Sequence, residues 1–239
     1  MTMPNMRLFG MTSSAIVPTG PAGIFRILLT TTDTDVTNLD IKTGLLTAAA
    51  LYPGLTLSIT EVYSVASIPT VTVGQYDAIF FWSNGAVPWN ASLNTHNSNN
   101  GGLVTAQFYS STGITSITPA GLMPTVNKTG GQAGGSIVWP SPPYSHPIAN
   151  GSNSSTQRVT SFASASFAAS NPTLNSGAST VVSSTTSVPF VVVKDNSAPT
   201  GRTVFLNLFP RPPIGWNPTT YPQGFLLMLN ALLWSGRKI

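Results

Sequence analysis

Cysteine is absent from this chain. That excludes disulfides, thiolate metal sites and a thiol nucleophile, and it leaves the redox compartment open. Charge is scarce: charged residues make up 7% of 239, against about a quarter in ordinary soluble domains. Ser, Thr, Asn, Gly and Pro stand in their place, so solubility rests on hydroxyls and amides. Such a surface is more usual in extracellular proteins, virion components and assembled layers than in cytoplasmic enzymes. The ten basic residues outnumber the six acidic ones but are scattered and not interleaved with aromatics; this does not point to nucleic acid. Long hydrophobic runs are also missing. The first ten residues hold no continuous apolar stretch, so no standard secretory signal is expected. The C-terminal apolar run falls short of the roughly 20 residues that span a bilayer. No Gly-x-Gly-x-x-Gly follows the first apolar strand, and no phosphate loop occurs. No nucleotide, flavin or other cofactor is expected.

What is present is enough for a core: 41% of the residues are hydrophobic. The organising stretch is residues 201–234. Val204, Phe205, Leu206 and Leu208 form a short apolar strand bounded by Gly201 and Pro210. Residues 225–234 are apolar on almost every face, as a buried helix is. Gly236 is expected as its C-cap, with Arg237 and Lys238 near the negative end of the dipole.

Residues 1–23 have no clear period and read as an extended arm, either a disordered terminus or a contact with a neighbouring subunit. Residues 24–239 read as one α/β domain. Residues 25–30 form the first strand, 35–51 a helix, 55–62 a second strand, 77–82 a central third strand and 103–108 a fourth. The connection at residues 67–75 shows little helix signal. The Asn-rich segment before the fourth strand is poor helix material, so the helix there is expected to be short, frayed or lost. Long Ser/Thr/Gly/Asn-rich loops fill about residues 110–187. Residues 159–167 read as an antiparallel strand, and 178–184 with 188–193 as a hairpin-like pair.

The order of these elements carries a resemblance. Tyr76 opens a Tyr-Asp-Ala-Ile-Phe-Phe-Trp strand, Gly101 a Gly-Gly-Leu-Val strand, Ser145 a Ser-His-Pro-Ile motif and Pro189 a Pro-Phe-Val-Val-Val strand. A Gly-Arg-Thr-Val-Phe-Leu-Asn-Leu-Phe-Pro strand and a terminal apolar helix close the chain. The chain resembles the class I glutamine-amidotransferase-like superfamily, in particular its ThuA-like branch. The resemblance covers roughly residues 24–235. It implies a flavodoxin-like, mostly parallel sheet with helices on both faces. It also implies a nucleophilic Cys after the fourth strand, and here Thr105 to Ser110 offers no Gly-x-Cys-x-Gly elbow. ThuA-like branches often lack the triad, so the fold stands while the inherited chemistry does not.

The remaining candidates each have a plain structural alternative. His146, held by Pro147, is a base or ligand at the strand ends, or a turn residue capping the backbone. His96 reads as a loop residue. Ser110 follows the fourth strand, but a serine needs a base and His146 is the sole candidate. Asp33, Asp35 and Asp40 could ligate Ca²⁺, yet they lack the Gly turn and later Glu of a calcium loop, and helix capping accounts for the first two. Asn90, Asn127, Asn150 and Asn153 head Asn-x-Ser/Thr sequons. Trp82 and Trp234 belong to core elements. Trp89, Trp139 and Trp216 neighbour loop prolines and suit loop packing, a subunit contact or sugar stacking. Two functions are expected. The first is a non-catalytic structural protein whose partners are neighbours in an assembled layer, a virion shell or extracellular coat. The second is a ThuA-like carbohydrate-active or small-molecule-binding protein, with a pocket near Thr31, Ser83, Tyr109 and His146.

Overall fold

The apolar runs expected as strands pair side by side in parallel. The computed structural model describes residues 20–31, 41–63, 69–83, 91–107, 125–130, 135–138, 145–152, 154–160, 163–164, 169–184, 187–207 and 222–239. In chain order these hold β1 (Gly23–Thr31), α1 (Ile41–Ala49), β2 (Leu55–Tyr63), β3 (Ala78–Ser83), α2 (Ala91–Ser98) and β4 (Gly102–Gln107). Then come β5 (Thr125–Gly130), β6 (Gly135–Val138), α3 (Pro147–Asn150), β7 (Ala163–Ser164) and β8 (Ala169–Leu174). The chain closes with β9 (Ala178–Ser184), β10 (Pro189–Lys194), β11 (Thr203–Leu206) and α4 (Pro222–Ser235).

Nine strands form one sheet in the order β2-β1-β3-β4-β11-β10-β9-β6-β7. The first five are mutually parallel. The last four continue it antiparallel. The fold is therefore the expected α/β sheet, mostly parallel in its core half, with β3 central as its unbroken apolar run requires. β5 and β8 pair in a separate two-stranded ribbon.

Side-chain alternation sorts the core onto two faces. Phe25, Ile27, Leu29, Phe80, Trp82, Val104, Val204 and Leu206 point to one face, where α1, α3 and α4 lie. Leu28, Ile79, Phe81 and Leu103 point to the other, where Leu93 of α2 and Val71 meet them. Each such fully buried Leu, Ile or Phe contributes about 1.5–3 kcal/mol. α4 is buried on almost every side from Phe225 to Trp234. Its one interior polar residue, Asn230, is fully buried and satisfied: its amide donates to Ile148 O at 3.0 Å and Gln157 O at 3.1 Å, and it accepts from the Tyr52 hydroxyl. Burial pushes the Tyr52 hydroxyl well above its usual range. Asn230 thus pins α3 and the turn at Ser155–Gln157 onto α4.

Three local expectations change. The helix expected at 35–51 is α1, Ile41–Ala49, with residues 32–40 outside those described. The left-handed residue after α4 is Arg237, at φ 57°, and not Gly236. Arg237 holds that conformation because its guanidinium is tied to Asn100 Oδ1 at 2.7 Å and to the carbonyls of Asn196 and Thr200. Gly236 serves close approach instead: a Cβ there would meet the Phe25 ring at 2.7 Å. Of the strand expected at 159–167, the described residues hold Ala163–Ser164, and Val159 and Thr160 stand outside it: Val159 N donates to Ala149 O and Thr160 N to Gln223 Oε1, while residues 161–162 and 165–167 lie outside the described residues. The hairpin pair forms as β9 and β10. α2 exists and is short, at eight residues.

Candidate functional site

In a parallel sheet the strands' carboxyl ends are the place for a ligand. Here each parallel strand next to the centre has an apolar middle and finishes on, or is followed by, a hydroxyl or an amide. β1 ends at Thr30 and Thr31, β3 at Ser83, β4 at Gln107, and β11 is followed by Asn207. Thr31 Oγ1 donates to Trp82 O at 2.7 Å, tying β1 to β3 at this edge. Asn207 Nδ2 donates to Pro189 O at 2.9 Å and its backbone N–H to Phe190 O at 2.8 Å. Thr30 is fully buried, yet its hydroxyl has no hydrogen-bond partner among the described residues. At the outer side Tyr63 packs edge-on against Trp82, with ring centroids 5.5 Å apart. Tyr63 donates its hydroxyl to Glu61 at 2.6 Å. Burial, then the Glu61 carboxylate, pushes that phenol far above its usual range, so it stays protonated.

The chain segments that continue from this edge are residues 32–40, 84–90, 108–124 and 208–221. All lie outside the described residues. By connectivity they carry most of the sequence-derived candidates: Asp33, Asp35 and Asp40 after β1, Trp89 after β3, Ser110 and Tyr109 after β4, and Trp216 after β11. Trp139 also lies outside the described residues.

His146 is placed elsewhere. It sits at the amino ends of the strands, the opposite edge from Thr31 and Ser83, so the expected grouping of these three does not form. Its Nδ1 accepts from Ile148 N at 3.2 Å, which makes it the N-cap of α3. Its ring lies 5.1 Å from that of Trp234. Arg202, which precedes β11, stacks its guanidinium 4.7 Å from the same indole and donates to Trp234 O. Burial first, then the Arg202 charge, lowers the His146 pKa to about 4 against the opposing pull of Asp195. A neutral ring accepting from the backbone is a cap in this environment.

His96 is also structural. It is buried, and its Nε2 donates to Gly102 O at 3.0 Å. Its ring fills the space where a Cβ on Gly101 would stand. Burial lowers its pKa and outweighs the Gly102 bond. It borders a polar cleft of about 210 Å³ at the amino ends, with Arg26, Tyr76, Asp77, Asn99 and Lys238. There Arg26 and Asp77 satisfy one another. Arg26 pairs with Asp77 at 3.1 Å, and the Arg26 N–H donates to the same carboxylate at 2.7 Å. Burial pushes the Asp77 pKa up, but the hydrogen bonds and charge of Arg26 outweigh it and hold Asp77 below its usual value. Among the described residues no group of three or more metal-ligating side chains comes together. No described helix is long and apolar enough to cross a membrane. Of the four sequon asparagines, Asn150 is buried and accepts from Arg158 at 3.1 Å.

Two of these features carry little or no mark in the amino-acid sequence. Thr30 reads as an ordinary strand residue. Asn230 had one visible signal, an amide in an otherwise apolar helix.

No protein-family model matches the chain, and no curated protein matches it by sequence. Solved structures do match. A ThuA-like protein from Parabacteroides merdae superposes with a TM-score of 0.53 at 11% identity, covering 90% of each chain. A ThuA-like protein from Bacteroides uniformis gives 0.49 at 14% identity, covering 88% of this chain and 91% of that one. At 11% identity the first likeness concerns the fold alone: the chain has a ThuA-like α/β architecture along most of its length.

Proposed function

We propose that this chain is a ThuA-like binding protein that holds a small neutral polyhydroxylated ligand, of the carbohydrate class, at the carboxyl ends of β1, β3, β4 and β11. One observation carries the reading: that edge is finished in hydroxyls and amides, and among them the Thr30 hydroxyl is buried without a partner among the described residues. A buried polar group left unpaired costs about 1–3 kcal/mol. Such a cost is kept at sites that work. Hydroxyls and amides both donate and accept, as sugar hydroxyls do. The tryptophans at 89 and 216 belong to segments continuing from the same edge, and an indole suits the apolar face of a sugar ring. The reading assigns binding and no bond-breaking step.

The test is a titration with neutral mono- and disaccharides, followed by saturation-transfer NMR on the wild type and on Thr30→Val. A bound sugar whose affinity falls about tenfold in Thr30→Val, while the free variant melts no lower than wild type, supports the site. A variant that binds as the wild type does, or a wild type that binds no sugar in the panel, removes it.

A second reading, a scaffold in an assembled layer such as a virion shell or extracellular coat, draws on a different surface. β2 is the outermost strand, and Ile24 and Val73 are 65% and 55% exposed. An open edge beside exposed apolar residues suits a neighbouring subunit. Sedimentation separates the two: concentration-dependent assembly lost in Ile24→Lys favours the scaffold, and a monomer at every concentration removes it.

A further inference from the structure

The two ends of the nine-stranded sheet are guarded unequally. Among the described residues β7 is two residues long, and so short an edge offers little to pair with. At the other end β2 runs nine residues, Leu55–Tyr63, in unbroken register with β1. It holds no proline and one charge, Glu61. Folded proteins normally cover or pair an edge this long and regular.

The ladder decides which backbone groups are open. Gly23 N donates to Gly54 O at 2.9 Å. Backbone groups alternate sides along a strand, so Thr56, Ser58, Thr60 and Val62 turn theirs toward β1. Leu57, Ile59 and Glu61 turn theirs outward, and no described residue bonds to them. The side chains beside that edge are apolar and partly covered. Leu55, Leu57 and Ile59 are half-buried on the face that carries α1. Lys42 of α1 pairs with Glu61 at 3.2 Å, so this side of α1 stands over the edge. One turn on, Leu46 shares the stripe and is 46% exposed. On the opposite face Thr56, Ser58 and Thr60 present exposed hydroxyls.

This pattern is its own complement. In an antiparallel pairing of β2 with a second β2, centred on Ser58, Leu57 stands opposite Ile59 and Thr56 opposite Thr60. Aliphatic meets aliphatic on one face and hydroxyl meets hydroxyl on the other, the cross-strand pairs that stabilise a sheet. The outward groups of Leu57 and Ile59 then bond across the seam, and both copies of Leu46 flank it. The two Glu61 carboxylates fall at opposite ends, about 20 Å apart along the strands. Centring the pair on Ile59 instead would set Glu61 against Leu57.

We infer that two copies of the chain pair through β2 about a twofold axis at Ser58, joining their sheets into one. The inference rests on the open edge of the scaffold reading above, names the neighbour as a second copy, and closes the contact at two. The chain has no cysteine, so Ser58→Cys carries a single thiol. In the pairing Ser58 faces its own counterpart without a ladder bond, with Cα atoms about 4.5 Å apart, within disulfide range. Mild oxidation of full-length Ser58→Cys should give a disulfide-linked dimer. Thr60→Cys, whose counterpart is about 14 Å away along the strand, should stay unlinked. No linkage of Ser58→Cys, or equal linkage of both variants, overturns the pairing. Sedimentation of the wild type should show a dimer whose Kd rises at least tenfold in Ser58→Lys, where two like charges face each other. A wild type monomeric at every concentration overturns the inference. Larger particles that Ser58→Lys leaves intact and Ile24→Lys disperses overturn the pairing and keep the layer. A dimer that never grows, and that Ser58→Lys dissociates, keeps the pairing and removes the layer.

Discussion

The two faces of the sheet are built differently. One carries α1, α3 and α4 over a continuous apolar cluster that runs from Phe25 to Trp234. The other carries α2 over a cluster of six buried apolar residues that includes Val71 and Leu93, and along β1 and β2 it leaves Ile24, Arg26, Thr56, Ser58 and Thr60 exposed. The difference follows from the connections. β11 leads into α4, which is apolar on almost every side, whereas the described part of the connection from β2 to β3 contains no helix. The comparison teaches where stability resides and where the molecule has surface to spare. The dense face fixes the fold, and the thin face and the carboxyl edge are free to change.

The strongest way to break this contrast is to remove the polar pin of the dense face. Asn230→Ala leaves the Tyr52 hydroxyl and the carbonyls of Ile148 and Gln157 unpaired, which should cost roughly 4–5 kcal/mol in urea unfolding. A matched pair of truncations compares the faces directly. Leu229 and Leu93 are equally buried. Leu229→Ala should cost about 4 kcal/mol and Leu93→Ala about 2 kcal/mol, because a small cluster beside exposed surface collapses more easily around a void. Equal losses would erase the distinction.

A smaller effect is expected at the helix contact. A Cβ on Gly44 would come within 2.5 Å of the Phe225 ring. Gly44→Ala should therefore destabilise by about 1–3 kcal/mol, in spite of alanine's better helix propensity. Calorimetry on this variant checks it.

Acid titration sharpens the comparison least in size but most in origin. The folded His146 has a pKa near 4, below its usual 6.5. Between those values the unfolded chain binds more protons, so stability rises with pH there and is lost on acidification. Above about 6.5 the His146 contribution is complete. His146→Asn keeps a capping oxygen without the titration and should flatten the slope between pH 4 and 6.5. His96, whose pKa burial also lowers, supplies what slope is left on the thin face. Asp77 acts lower still: its depressed pKa gives stability that is lost only as pH falls below about 3.8.

Where burial is uniform, sequence was a good guide. β3 and α4 are legible because the side chains along them are apolar but for Ser83 at the end of β3 and, within residues 225–234 of α4, Asn230, and such a run has one place to go. The ThuA-like resemblance rested on those same runs. α2 is different. Asn94, Asn97 and Asn99 argue against a helix, yet Leu93, His96 and Asn97 are buried against the turn into β4. Asn97 Nδ2 reaches the carbonyls of Gly101 and Gly201, tertiary bonds that propensity cannot anticipate. Arg237 took the left-handed position for the same reason. The candidate site was legible only as an edge. Which strand ends meet there follows from parallel pairing, but the unpartnered state of Thr30 is a property of packing and leaves no mark in composition. His146 was misplaced because the sequence order of elements does not say at which end of the sheet a short helix is capped.

The direct measurement is backbone amide shift mapping during titration with a neutral disaccharide. The account predicts that the moving amides cluster at Thr30, Thr31, Ser83, Gln107 and Asn207. Shifts confined to the opposite edge, at Arg26, Asp77, His96 and Lys238, or still amides at every one of the five, would contradict it.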